Sequence, residues 1–173
     1  QDRPYHRTGR RHIYAGQVVV KDFVIRDMTA ADAESVGRVG FDAWAANPVL
    51  NAFGVDMMVR IRLSFRRFSQ EQFSLITVGE LGGEIAGWTA RDGARDYISD
   101  LWVSPAHQGL GIGSALVCAV LRDMRAEGLK RARIDTHAAN EGAIRLYEEL
   151  GFTVVLRGMQ HSPAMGMMVE KVK

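Results

Sequence analysis

The sequence predicts a single-domain α/β protein with a mixed, mostly antiparallel central sheet and helices on both faces. Three observations carry this. Strand-like and helix-like apolar periods succeed one another along 173 residues, a length that suits one domain with a substantial core. A Gly82-Gly83 pair between two strand-like runs marks a tight antiparallel hairpin. A glycine-rich turn, Gln108 to Ser114, then joins a strand-like run to a helix-like one, as in a βα unit.

The elements follow in order. Residues 1–20 read as a basic arm ahead of a domain over 21–173, with Arg3, Arg7, Arg10 and Arg11 opposed only by Asp2. Val18-Val19-Val20 and Phe23-Val24-Ile25 have β-strand composition. Thr29 with Asp32 three positions on marks a helix start, and Ala33, Val36, Gly37, Gly40 and Trp44 keep helical spacing up to Asn47-Pro48. From Val55 to about Gln70, Met58, Ile61, Leu63, Phe65 and Phe68 interleave with Arg60, Arg62, Arg66 and Arg67, a second helix with a basic side. Phe73 to Leu81 and Glu84 to Arg91 are the arms of the hairpin, and Tyr97 to Val103 is a further strand closed by Ser104-Pro105.

After the glycine turn, Ile112, Ala115, Leu116, Ala119, Val120 and Met124 trace a helix that Glu127-Gly128 ends. Val117, Cys118 and Leu121 widen its apolar face, so Cys118 is expected to be a buried, inert thiol rather than an acyl carrier. Arg131 to Thr136 is strand-like. Asn140 caps a helix with Ala143, Leu146, Tyr147 and Leu150 on one side, and Gly151 stops it. Phe152 to Leu156 and Met165 to Val172 make a last pair of strands. No internal repeat and no linker divides the chain.

Composition excludes several classes of function. The net charge of +2 is too small to argue for a nucleic-acid partner, and 47% apolar with 24% charged residues is ordinary for a globular protein. One cysteine excludes an intrachain disulfide and a Cys-based zinc site, and fits a reducing compartment. The five histidines have no metal-ligand spacing, so no metal is expected. No apolar run approaches the roughly 18 residues of a membrane span, and residues 1–12 lack the apolar core of a secretory signal. The expectation is a cytoplasmic protein with no membrane partner.

The glycine turn carries the chemistry. Glycine lets the backbone approach a ligand closely, and the free N–H groups at a helix start, with the helix dipole behind them, suit a pyrophosphate. A Walker A loop fails, because no lysine lies in the turn. A dinucleotide fingerprint fits poorly, since its third glycine position is Ser114 and the turn lies beyond residue 100 rather than in a first βα unit.

The whole pattern, Gln108-x-x-Gly111-x-Gly113, resembles the Arg/Gln-x-x-Gly-x-Gly/Ala acetyl-CoA loop of the GNAT superfamily of N-acetyltransferases. Leu101-Trp102-Val103-Ser104-Pro105 is similar to that family's lead-in strand. Asn140-Glu141-Gly142-Ala143-Ile144-Arg145-Leu146-Tyr147-Glu148-Glu149-Leu150-Gly151-Phe152 resembles its Asn-x-x-Ala-x-x-Leu-Tyr-x-x-x-Gly-Phe segment. The order of elements agrees from about Phe23 onward.

The resemblance implies acetyl transfer from acetyl-CoA to a small-molecule or peptide amine by direct attack in a ternary complex. It puts the backbone of Leu101, Trp102 and Val103 along the pantetheine arm, with one N–H facing the thioester oxygen. It wraps Gln108, Gly109, Leu110, Gly111, Ile112, Gly113 and Ser114 around the pyrophosphate, and it sets Asn140, Ala143 and Tyr147 against the cofactor. Tyr147, a core tyrosine by periodicity alone, becomes by resemblance the proton donor to the departing thiolate. The position of the family's usual glutamate base holds Tyr97. Asp100, on the same strand at the opposite parity, is the candidate base beside a plain water chain, with Glu80 and Glu84 within reach through water. Acceptor-side residues would include Trp44, Asn51, Phe53, Phe65, Met159 and Met165. Homodimers occur in the family. A CoA-binding module that has lost catalysis is the alternative.

Overall fold

The computed structural model describes residues 22–47, 54–159 and 167–172; the expected Val18–Val20 strand, Asn51, Phe53 and Met165 lie outside them. The chain runs β1 (Phe23–Asp27), α1 (Ala33–Ala45), α2 (Val55–Glu71), β2 (Ile76–Leu81), β3 (Glu84–Ala90), β4 (Tyr97–Ile98) and β5 (Asp100–Val103). It continues through α3 (Ile112–Ala126), β6 (Arg133–His137), α4 (Glu141–Glu149), β7 (Thr153–Met159) and β8 (Met167–Val172). Strands β1-β2-β3-β5 form one antiparallel sheet in that order. Strands β4-β6-β8-β7 form a second, in which only the β4–β6 pair is parallel.

Two of these boundaries differ from the sequence expectation for a physical reason. Phe73–Leu75 is a 3-10 turn that feeds β2 rather than part of the strand. More consequentially, Tyr97 to Val103 is not one strand. It breaks at Ser99, whose N–H and hydroxyl both donate to the Ala90 carbonyl (3.0 and 3.3 Å). The piece before the break pairs with β6, the piece after it with β3.

Helices α1 and α2 cover one face of the first sheet, termed the front. Val36 and Val39 of α1 and Phe65 and Phe68 of α2 pack there on Ile76, Val78, Ile85, Trp88, Ala90 and Trp102. Helix α3 covers the back. Its first turns, Ile112 and Leu116, lie on Ala86, Leu101 and Val103, and its later residues Val117, Val120, Leu121 and Met124 join Ile98, Ile134 and Tyr147. Helices therefore stand on both faces, as the amphipathic patterns require.

Two local devices hold the site strands. Register between β2 and β3 skips at Ala86, so both Ala86 and Gly87 face α3. A Cβ on Gly87 would lie only 2.8 Å from the Trp102 carbonyl oxygen, and glycine is what lets β3 and β5 meet there. On the front edge, the Arg26 guanidinium donates to both carboxylate oxygens of Asp32 (2.7 and 2.9 Å) and to Glu80 (2.8 Å). Asp32 in turn accepts from the Thr29 N–H at 2.8 Å, so one cluster locks β1, β2 and the approach to α1.

Candidate active site

The glycine turn gives α3 a start with exposed donors. Gly111 is the N-cap, in the left-handed region at φ 79°, and no side chain caps the helix. The first helical bond runs from the Ala115 N–H to the Gly111 carbonyl at 3.0 Å, so the N–H groups of Ile112, Gly113 and Ser114 precede the ladder. Gln108 anchors the turn by donating its side-chain amide to the Val103 carbonyl at 3.2 Å.

The motifs named from the sequence converge here. A Cβ on Gly113 would lie 3.4 Å from Leu146 of α4, 3.7 Å from Val103 and 3.9 Å from Leu101 of β5. Strand β5 ends its sheet, and β4 ends the other, so past Ser99 the two sheets part and β5 keeps an open edge. The Ser104 N–H bonds to Ala86, and Asp100 offers its carbonyl to Thr89, both toward β3. By alternation Trp102 also turns its main chain to β3, leaving Leu101 and Val103 to face the open edge. A donor–acceptor strip beside a cradle of free N–H groups suits a chain bearing amides and ending in a pyrophosphate.

The break at Ser99 also resets which side chains share a face. Ile98 and Leu101, three residues apart, both pack on the back against α3 and α4. Tyr97 and Asp100 therefore both face front, where strict alternation had put them on opposite faces. This geometry is invisible to a period-two reading, which has no signal for an extra residue. Asp100 stands beside Trp102, whose indole Nε1–H donates to its Oδ1 at 3.0 Å. Burial pushes the Asp100 carboxyl up from the ordinary aspartate range, against the hydrogen bond from Trp102 and the nearby Ser99 hydroxyl, which pull it back. Tyr97 donates its hydroxyl to Asp135 at 3.1 Å beneath the Arg133 guanidinium, and burial with Asp135 keeps its phenol protonated.

Tyr147 comes from the back, on α4. It is 4% exposed and packs on Phe152 at 5.9 Å between ring centroids, so it is a core tyrosine as its periodicity says. It also lies within electrostatic reach of Asp100 and Tyr97: burial first, then those two groups, hold its phenol well above the ordinary value. Asn140 accepts from the Ala143 N–H at 3.2 Å through its side-chain oxygen and so starts α4 as expected. Cys118, expected to be buried, is exposed: α3 buries Val117 and Ala119 on either side, and the 100° step between residues turns position 118 outward with exposed Arg122 and Arg125.

The acetyltransferase (GNAT) family model matches residues 43–152. Mycothiol acetyltransferase of Paenarthrobacter aurescens (strain TC1) is 36% identical over 107 residues, 55% of this chain and 32% of its own. Phosphinothricin N-acetyltransferase of Streptomyces viridochromogenes is 38% identical over 84 residues, 44% of this chain and 45% of its own. The chain thus spans less than half the length of these curated relatives. Among solved structures, a GCN5-related N-acetyltransferase from Rhodopseudomonas palustris superposes with a TM-score of 0.74 at 17% identity, over 91% of this chain and 99% of that one. The yncA protein of Salmonella typhimurium, solved with its cofactor acetyl-CoA, superposes at 0.66 with 23% identity, over 88% and 94%. Among the described residues no helix is long and apolar enough to cross a membrane. With the parted strands, the glycine turn and the matched sequence all in one order, the chain belongs to the GNAT family of acetyltransferases.

Proposed function

We propose that the protein moves the acetyl group of acetyl-CoA to a primary amine by direct attack in a ternary complex. The observation that carries this is the uncapped α3 start lying beside the open edge of β5, the strand that bears Asp100. Acetyl-CoA supplies the activated thioester. The N–H groups of Ile112, Gly113 and Ser114, with those of Gln108 to Gly111, suit its pyrophosphate, and the main chain of Leu101 and Val103 suits its amide arm.

Asp100 serves as the base. A protonated amine cannot attack, and a half-buried carboxylate whose affinity for protons is raised by burial is suited to take one. Tyr147 serves as the acid for the sulfur, since its phenol is fully protonated at neutral pH. The two roles are coupled. The negative charge of Asp100 is one cause that keeps the Tyr147 proton in place, so protonating Asp100 makes Tyr147 the better donor at the step that needs it. Of the two protons the nitrogen sheds, one ends on the sulfur and the other in solvent. The acceptor is read as a small-molecule or peptide amine, in keeping with the name of the phosphinothricin-acetylating relative.

The test is Tyr147→Phe with thiol release as the readout. Loss of kcat by about 10²-fold or more at matched acetyl-CoA affinity supports the acid role. Equal turnover in parent and variant refutes it. Binding of acetyl-CoA with no transfer to any of a broad amine panel favours the non-catalytic module instead, the reading that Tyr97 at the usual glutamate position suggests.

A further inference from the structure

We propose that the Trp102 indole is a positioning residue: its N–H fixes and tunes the Asp100 carboxylate as the base of the transfer. The inference rests on the role given to Asp100 above and adds a residue whose side chain touches neither CoA nor the acceptor in that scheme.

The geometry is specific. Asp100 and Trp102 sit two apart on β5, so both project to the front face, and the indole Nε1–H reaches Asp100 Oδ1 at 3.0 Å. The indole cannot swing freely. Phe65 of α2 meets it edge-on at 5.2 Å and 87°, and Trp88 stands directly across from it on β3. Phe65 is itself set edge-on against Trp88 at 6.3 Å. The donor is therefore held by an aromatic cluster anchored in the front core.

What else faces Asp100 makes this donor matter. The Ser99 hydroxyl lies close enough to favour its charge, and Asp92 in the turn after β3 opposes it. Tyr97 on β4, itself bonded to Asp135 under Arg133, and Tyr147 on α4 lie within electrostatic reach. Helices α1 and α2 bring apolar and aromatic side chains to this face. No ion pair to Asp100 occurs among the described residues, and burial alone favours its neutral form. The indole N–H, a neutral donor locked in place, keeps a carboxylate there that is charged enough to accept a proton and aimed in one direction.

Trp102→Phe keeps an aromatic ring on Phe65 and removes the N–H. The acid limb of the kcat/KM–pH profile should then move up by about one to two units, the worth of a hydrogen bond to a charged group. The KM for acetyl-CoA should hold, because the indole lies on the face away from α3. In an Asp100→Asn background the limb should vanish and Trp102→Phe should add little further loss. Should Trp102→Phe fold poorly, β-(3-benzothienyl)alanine at position 102 keeps the ring shape with sulfur in place of the N–H and should give the same shift. A rate that falls equally at every pH with the limb unmoved, in either replacement, overturns the proposal and leaves the indole a packing group. Full activity in Asp100→Asn is the separate result that removes the base itself.

Discussion

Replacing Gly87 by alanine tests how closely the cleft strands are set. The new Cβ would lie 2.8 Å from the Trp102 carbonyl oxygen, with Ile112 and Leu116 of α3 at 3.3 Å closing the other side. Ordinary contact begins at 3.4 Å, so the carbonyl must give by about 0.6 Å. A backbone atom cannot rotate out of the way. The strain is relieved by parting β3 from β5, the strand whose free edge and Asp100 define the cleft. Overpacking of this kind costs about 1–3 kcal/mol, which lowers the melting temperature of a domain this size by about 2–10 °C. A shift of this size at the reacting groups also predicts a fall in kcat/KM of about tenfold or more, beyond the loss of stability.

The comparison is Gly79→Ala on β2. Its Cβ also faces α3, but the atoms in its way at 3.0 Å belong to the Phe23 ring, the end of an adjustable side chain. Thermal melts and acetyl-CoA titration of the two variants decide the matter. Gly87→Ala should lose both stability and affinity, and Gly79→Ala should lose less than about 1 kcal/mol and bind normally. Equal behaviour of the two glycines would refute the argument that a backbone clash at the cleft differs from a side-chain clash beside it.

Two further outcomes follow from named groups. The Arg26 guanidinium holds the Asp32 carboxyl well below the usual aspartate range through paired hydrogen bonds, so the clamp contributes fully above the unfolded pKa of about 3.9 and weakens as pH falls below it. Asp32→Asn should cost about 2 kcal/mol at pH 7, and urea melts should find the gap to the parent closing toward pH 2; a gap constant with pH contradicts the clamp. Cys118 lies on the outer face of α3. It should react with a disulfide reagent in the folded protein, and Cys118→Ala should retain activity; a silent thiol would contradict its exposure, and an inactive variant would contradict the direct-transfer scheme.

Much of this was legible in the sequence because the signals were local. The Gly82-Gly83 hairpin, the helix after the glycine turn and the Asn140 cap each depend on residues within a few positions of one another, and each stands close to where it was expected. The departures that shape the cleft are non-local. Ser99 breaks its strand because the Ala90 carbonyl and β6 compete for the same stretch, and no period announces that competition. The Trp102–Asp100 bond depends on an indole steered by Phe65, 37 positions away in sequence. Cys118 was misplaced because composition, dense with apolar neighbours, was read instead of helical angle.

Calorimetric titration with acetyl-CoA, with NAD and ATP as controls, tests the central claim most directly. Micromolar binding of acetyl-CoA alone is expected. It should be lost when valine replaces Gly111, whose φ of 79° a branched residue resists, or Gly113, whose Cβ position already meets Leu146 at 3.4 Å. Absence of acetyl-CoA binding, or binding indifferent to both substitutions, would contradict the assignment of the glycine turn as the donor site.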